Sequence, residues 1–293
     1  MRLPLPNMGS SNETDVLNAE RWDSTNLVGI PSGLIASVAF NDQPQHLRIA
    51  GALESHRGLF HLLEESKNHA DAAIKFKRYM QLVFQLKPTK YERLHAEVRR
   101  FRPSYLKLME GWGFDSNSPQ GAVLKGWVEN RFGMAPTFHK APLQQYPSPA
   151  WTSYLQEKYA CRFHNNNIYQ QLDLLYEFCQ FVITRYGLPH ANKADTHVTL
   201  WRGINLHDEP NLSIGKNIAN KSSKEPLIVR LNNLVSLTTS RERADEFGDW
   251  LLELQVPKVK ILFFPQLLQN QSLSGEGEVL ALGGLYHAKA SYV

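Results

Sequence analysis

Cysteine is scarce in this chain: Cys161 and Cys179 are the only two among 293 residues. Two isolated thiols argue for a reducing compartment and against a disulfide framework. Long apolar runs are also missing. The longest clusters, such as Ile261 to Pro265, have the length of a core strand and fall short of the roughly 20 residues that a membrane-crossing helix needs. There is no H-E-x-x-H, no paired C-x-x-C and no acidic calcium loop, so no metal is expected. No G-x-G-x-x-G follows a predicted strand, and the chain has neither an internal repeat nor a low-complexity segment. Neither sign of charge dominates: 32 Lys and Arg against 28 Asp and Glu give +4. That mild basicity, without basic stripes interleaved with aromatics, gives no ground for a nucleic-acid partner. The N-terminal residues, Met1 to Asn26, have no apolar stretch and no small-residue cleavage site. The expectation is a soluble, cytoplasmic protein without a secretory signal.

What is present divides the chain into three parts. Residues 1–22 are polar and read as a disordered or loosely attached tail. Residues 23–192 are mainly helical. Asn26 to Phe40 reads as a loop feeding a short buried element. Helical spacing follows from Gly51 to about Leu86, and again from Tyr91 to about Leu108, where Pro103 breaks or kinks the run. Gly111 to Pro149, rich in Gly, Pro, Trp and Phe, is expected to form short elements and ordered loops. The clearest helix spans Asn167 to Tyr186, with Leu172, Leu175, Tyr176, Cys179, Val182 and Ile183 on one apolar face. Gly187 and Pro189 supply its stop. In residues 193–293 the spacing changes to that of short strands: Thr196 to Trp201, Leu231 to Leu237, Trp250 to Val256, Val259 to Phe264 and Val279 to Leu285. One helical turn intervenes at Arg241 to Phe247, where Thr239 and Glu242 have the spacing of a capping box and Ser240 is open to the same structural role. Helices first and strands later give an α+β class. The two portions are expected to form one compact unit.

Three chemically pointed elements lie in the strand-rich part. Glu276 and Glu278 stand one residue apart at the mouth of Val279-Leu280, so in a strand they face one side. Adjacent like charges repel, which a fold tolerates mainly where chemistry or a cation needs both; an exposed acidic turn is the plainer alternative. Arg202 ends an apolar strand and precedes Gly203. A guanidinium there suits a phosphate, which glycine lets approach the backbone, although a surface ion pair explains an isolated Arg-Gly equally well. Ser236 lies within an apolar strand and suits orienting a carboxylate on a neighbouring strand; the plainer reading is a satisfied strand serine.

An arginine, a serine and a Glu-x-Glu in that order resemble the active site of the R-S-E class of ADP-ribosyltransferases. The matching residues are Arg202, Leu234-Val235-Ser236-Leu237-Thr238, Ala244 with Phe247, and Glu276-Gly277-Glu278-Val279-Leu280. Leucine replaces the first aromatic and the central threonine of the serine motif. Thr238 to Ser240 is therefore a second possible register, while Ser236 keeps the usual distance to Ala244. Further segments are similar to the dinitrogenase reductase ADP-ribosyltransferases: Ser24 to Leu27 with Ile35 to Phe40, Gly111 to Asp115, Gly121 to Glu129, Arg131 to Gly133, and Phe247 to Asp249. The similarity runs from about residue 24 to the C-terminus.

That resemblance implies a mixed, mostly antiparallel NAD-binding catalytic core over residues 193–293. It implies NAD as co-substrate and transfer of ADP-ribose to an arginine of the nitrogenase iron protein. Glu278 would stabilise the developing charge on the ribose, Ser236 would hold Glu278, and Arg202 would grip the diphosphate or its adjoining ribose. Glu276 would engage the incoming guanidinium. Gly203 and Thr238 would line the NAD site, and Phe247, with Trp250, would stack on nicotinamide. A PII-type nitrogen signal protein is implied as activator. Arg93, Arg99, Arg100, Arg102 and Lys107 read as a solvated face or as a docking surface for an acidic partner; Trp112, Phe114 and Trp127 read as buried aromatics or as part of an interface. Two other functions stay open: an arginine transferase with a different protein target, and a non-catalytic module that binds NAD or a signal protein.

Overall fold

A computed structural model describes residues 25–88, 93, 100–189, 191–205, 227–269 and 278–292. Within them, serine and asparagine start most helices. Helix α1 (Ser32–Ile35) is followed by α2 (Val38–Asp42), capped by Ser37, whose Oγ accepts the Phe40 amide at 3.2 Å. The expected loop feeding a short buried element over Asn26 to Phe40 is present, the element being these two short helices. The single helical run expected over Gly51 to Leu86 is broken into α3 (Ala52–Ser55), α4 (Arg57–Glu64) and α5 (His69–Val83). Asn68 begins α5 by accepting the Asp71 amide, which satisfies a first-turn donor that the helix itself leaves unpaired.

Two helices occupy the stretch expected to be loops and short elements. Helix α6 (Tyr105–Phe114) is capped by Ser104, and α7 (Pro119–Phe132) starts on Ser118-Pro119 and stops at Gly133. Glycines in a helix interior are unfavourable, but Gly126 is where α7 meets its neighbour. A Cβ there would lie 2.5 Å from Cδ of Lys158. That lysine belongs to α8 (Pro149–Ala160), again opened by a Ser-Pro pair. Between α7 and α8 lies the small hairpin β1 (Phe138–His139) and β2 (Ala141–Pro142). Helix α9 (Asn166–Tyr186) matches the sequence expectation to within a residue.

The sheet follows: β3 (His197–Ile204), β4 (Leu227–Thr238), β5 (Trp250–Pro257), β6 (Ile261–Phe263) and β7 (Glu278–Tyr292), with helix α10 (Arg241–Asp245) between β4 and β5. The described pairings are antiparallel, and the order is β4-β3-β5-β7-β6. Strand β7 is shared. Its first part pairs with β4 over Glu278 to Ala288, and its last part pairs with β5 over Ala288 to Tyr292. One bridge, Trp201 to Thr238, links β3 back to β4. The β7 strand runs past the expected end at Leu285 because β5 takes over its pairing.

The helices and the sheet share one hydrophobic core. Phe76 of α5 stacks on Phe178 of α9, with ring centroids 4.1 Å apart. Helix α9 then meets the sheet through polar contacts that satisfy loop carbonyls. Gln180 donates to Ile261 and Lys258, and the Tyr176 hydroxyl donates to Leu47 and Val259. A bulge in β4 between Leu231 and Leu234 turns Asn232 and Asn233 toward α7 and β1. Asn233 donates to the Lys125 and Met134 carbonyls, and Asn232 donates to Phe138. Helix α7 is thereby held against β4, the strand that carries Ser236.

Candidate active site

Strand pairing brings the distant elements together. Thr238 lies opposite Glu278, and Ser236 lies opposite Leu280, two residues further along the same face of β7. Ser236 and Glu278 are therefore diagonal neighbours, within reach of a side-chain contact. The Ser236 hydroxyl donates to Glu278 Oε1. Arg202, at the end of β3, donates from Nη1 to the Ser236 backbone oxygen at 3.0 Å. The arginine, the serine and the second glutamate of the expected triad thus stand around one space. That space is a cleft of about 300 Å³ whose walls include Arg202, Gly203, Ser236, Thr238, Phe247 and Glu278.

Two glycines let β3 and α10 close on this cleft. A Cβ on Gly203 would lie 1.9 Å from the Ala244 carbonyl oxygen, and one on Gly248 would lie 2.3 Å from the Ile204 carbonyl carbon. Only hydrogen fits at either place.

The remaining hydroxyls have local work. Thr238 Oγ1 accepts the Ser240 amide at 3.1 Å. Ser240, rather than Thr239, caps α10: its Oγ accepts the Arg243 amide at 3.2 Å and donates to Glu242 at 2.9 Å. The capping box expected from Thr239 does not form: Ser240 is the last extended residue before the helix and makes a simple N-cap, while its own amide goes to Thr238. Phe247, 58% exposed, presents its ring at the cleft. Trp250, expected beside it, packs edge-on against Tyr292 with centroids 5.5 Å apart. Glu276 lies outside the described residues, as does Arg99.

A family model for dinitrogenase reductase ADP-ribosyltransferase (DRAT) matches residues 25–290. The chain belongs to this family. The NAD(+)–dinitrogen-reductase ADP-D-ribosyltransferase of Rhodospirillum rubrum is 46% identical over 273 residues, covering 92% of this chain and 95% of that protein. No solved structure matches the chain.

This member of the DRAT family has one contact at the cleft that the strand motifs do not contain. Trp112 of α6 donates from Nε1 to both Ser236 Oγ and Glu278 Oε1, each at 3.0 Å. Behind its ring, 5.8 Å from the centroid, lies Nζ of Lys125, which donates to Asn117 Oδ1 and the Phe138 oxygen at 3.1 Å each. Burial pulls the Lys125 pKa down to about 7; Asp115 opposes that shift and the Arg202 charge adds to it. The other two aromatics singled out in the same stretch differ from one another. Trp127 is buried and donates to Asp173 at 2.8 Å, whereas Phe114 is 92% exposed. Among the described residues, no three His, Cys, Asp or Glu side chains are grouped to hold a metal ion, and no helix is long and apolar enough to cross a membrane.

Proposed function

We propose that this chain is a mono-ADP-ribosyltransferase that moves ADP-ribose from NAD to an arginine of the nitrogenase iron protein, dinitrogenase reductase. The observation that carries this reading is the Ser236–Glu278 contact beside Arg202, in a member of the DRAT family. The cleft suits NAD in its chemistry: a guanidinium for the diphosphate and an exposed ring for nicotinamide, while Gly203 admits the α10 backbone that forms the wall between them.

Breaking the nicotinamide–ribose bond sends its electron pair to the ring nitrogen and builds positive charge on the sugar, as in glycoside hydrolysis. Glu278 accepts a hydrogen bond from the ribose 2′-hydroxyl and offsets that charge. Ser236 holds Glu278, and Arg202 holds the diphosphate or the adjoining ribose. Gly203 and Thr238 line the NAD site, and Phe247 stacks on nicotinamide. The new bond forms from a guanidinium nitrogen of the target to the ribose carbon. A guanidinium, with a pKa above about 12, is a poor nucleophile until it loses a proton. Glu276 orients it and takes that proton. The same reading carries a PII-type nitrogen signal protein as activator and a cytoplasmic location.

The test is labelled NAD incubated with iron protein. Glu278→Gln is expected to lower labelling by at least about 100-fold while thermal unfolding stays near that of the parent. Undiminished labelling overturns the assignment. Glu276→Gln should lose transfer to arginine yet keep NAD hydrolysis, and mass spectrometry of the product should place the added mass on an arginine.

A further inference from the structure

Trp112 belongs to the helical half of the chain and is 3% exposed. Its one polar group is the indole N–H, a donor only. A buried indole is satisfied by any nearby carbonyl, yet this one reaches a carboxylate 166 residues away. The acceptor, Glu278 Oε1, also receives the Ser236 hydroxyl. Among the described residues, no hydrogen bond reaches the other oxygen, Oε2. Beside Oε2 lies Gly113, which has no side chain to cover it; even an added Cβ there would stand 3.9 Å away.

The indole is itself fixed. Helix α6 buries Tyr105, Leu108 and Met109, and its Tyr105 amide donates to Gln171 of α9 at 3.0 Å. Lys125 of α7 closes the space behind the ring. Rotation of a glutamate carboxyl about its last torsion is broad and two-fold when nothing holds it. Two donors converging on one oxygen remove that freedom, and bonds to a charged acceptor are the stronger kind.

We propose that Trp112 is a positioning residue: together with Ser236 it occupies Oε1 of Glu278 and so reserves Oε2 for the ribose hydroxyl. This rests on the role given to Glu278 above. The helical half then completes the catalytic geometry instead of merely packing on the sheet.

Trp112→Phe keeps a ring and removes the donor. The full-length variant is expected to lose about 10- to 100-fold in the kcat for nicotinamide release, with the KM for NAD within about threefold of the parent. Leu106→Ala, which removes apolar packing from the same helix at a position that is not a three- or four-residue neighbour of Trp112, should lower thermal stability and leave kcat near the parent value. A second readout needs no turnover. The chain has six tryptophans. In 15N-tryptophan-labelled protein, the indole resonance missing from Trp112→Phe should move on Glu278→Gln. Unchanged kcat in Trp112→Phe overturns the proposal, as does an equal loss in Leu106→Ala or an indole resonance indifferent to Glu278→Gln. Full turnover in Glu278→Gln would instead remove the transferase assignment itself, so the two failures are distinguishable.

Discussion

Gly203 of β3 lies directly against the Ala244 carbonyl of α10, so closely that a methyl group at 203 would stand 1.9 Å from that oxygen. The contact places α10, and the Phe247 that follows it, over the strand carrying Arg202. Gly203→Ala must therefore move backbone, because no flexible side chain is there to yield. Overpacking of this kind costs about 1–3 kcal/mol. The expected outcome is a lower unfolding temperature and a KM for NAD raised by about 10-fold or more, since the wall between Arg202 and Phe247 shifts. Steady-state kinetics with varied NAD check this; an unchanged KM in a folded variant means that this approach does not shape the NAD site.

Stability away from the cleft depends on Asp173 of α9. Arg131 donates to it from Nε at 2.7 Å and from Nη2 at 2.8 Å, and Trp127 adds a third bond at 2.8 Å. The two side chains of the ion pair are only 13% and 11% exposed. Asp173→Asn keeps the shape but leaves a mostly buried guanidinium without its counter-charge, a change that costs about 3–5 kcal/mol. The Glu253–Lys289 pair is the contrast, with its lysine 78% exposed. Glu253→Gln should cost less than about 1 kcal/mol. Urea titrations of both variants should separate them clearly, and similar midpoints would show that burial does not set the worth of these pairs.

The α+β order and the helix over Asn166–Tyr186 were legible because they rest on local periodicity. So were the strands bearing Arg202, Ser236 and Glu278. Helix α7 was not, because Gly121 and Gly126 together with flanking Trp and Phe imitate an ordered loop. Its end signals were nevertheless present: Ser118-Pro119 at the start and Gly133, with φ of 70°, at the stop. Strand β7 continues past the expected end at Leu285, and a signal for this was present: His287 and Lys289, both exposed, alternate with the buried Tyr286 and Ala288 as in a half-buried strand. Trp112 could not be placed at the cleft by spacing at all. Its partners are 124 and 166 residues away, and only the docking of α6 on the β4–β7 pair brings them within reach.

Glu177 should give the fold a titration visible in solution. It is 4% exposed, and its Oε1 accepts the Ile49 amide at 2.8 Å. Burial pushes its pKa up from the ordinary 4.5 to about 7, against the pull of that amide and of Arg48. The folded protein therefore binds this proton more tightly than the unfolded chain does. Between about pH 4.5 and pH 7 the native state holds the extra proton, and stability falls as pH rises through that window. Glu177→Gln does not titrate, and its amide oxygen still accepts from Ile49. The variant should match the parent near pH 4.5 and exceed it at pH 8 by on the order of 1–3 kcal/mol. Unfolding free energies at the two pH values decide the matter. A parent–variant difference independent of pH would mean that the carboxyl stays charged inside the fold, and that Arg48 compensates its burial in full.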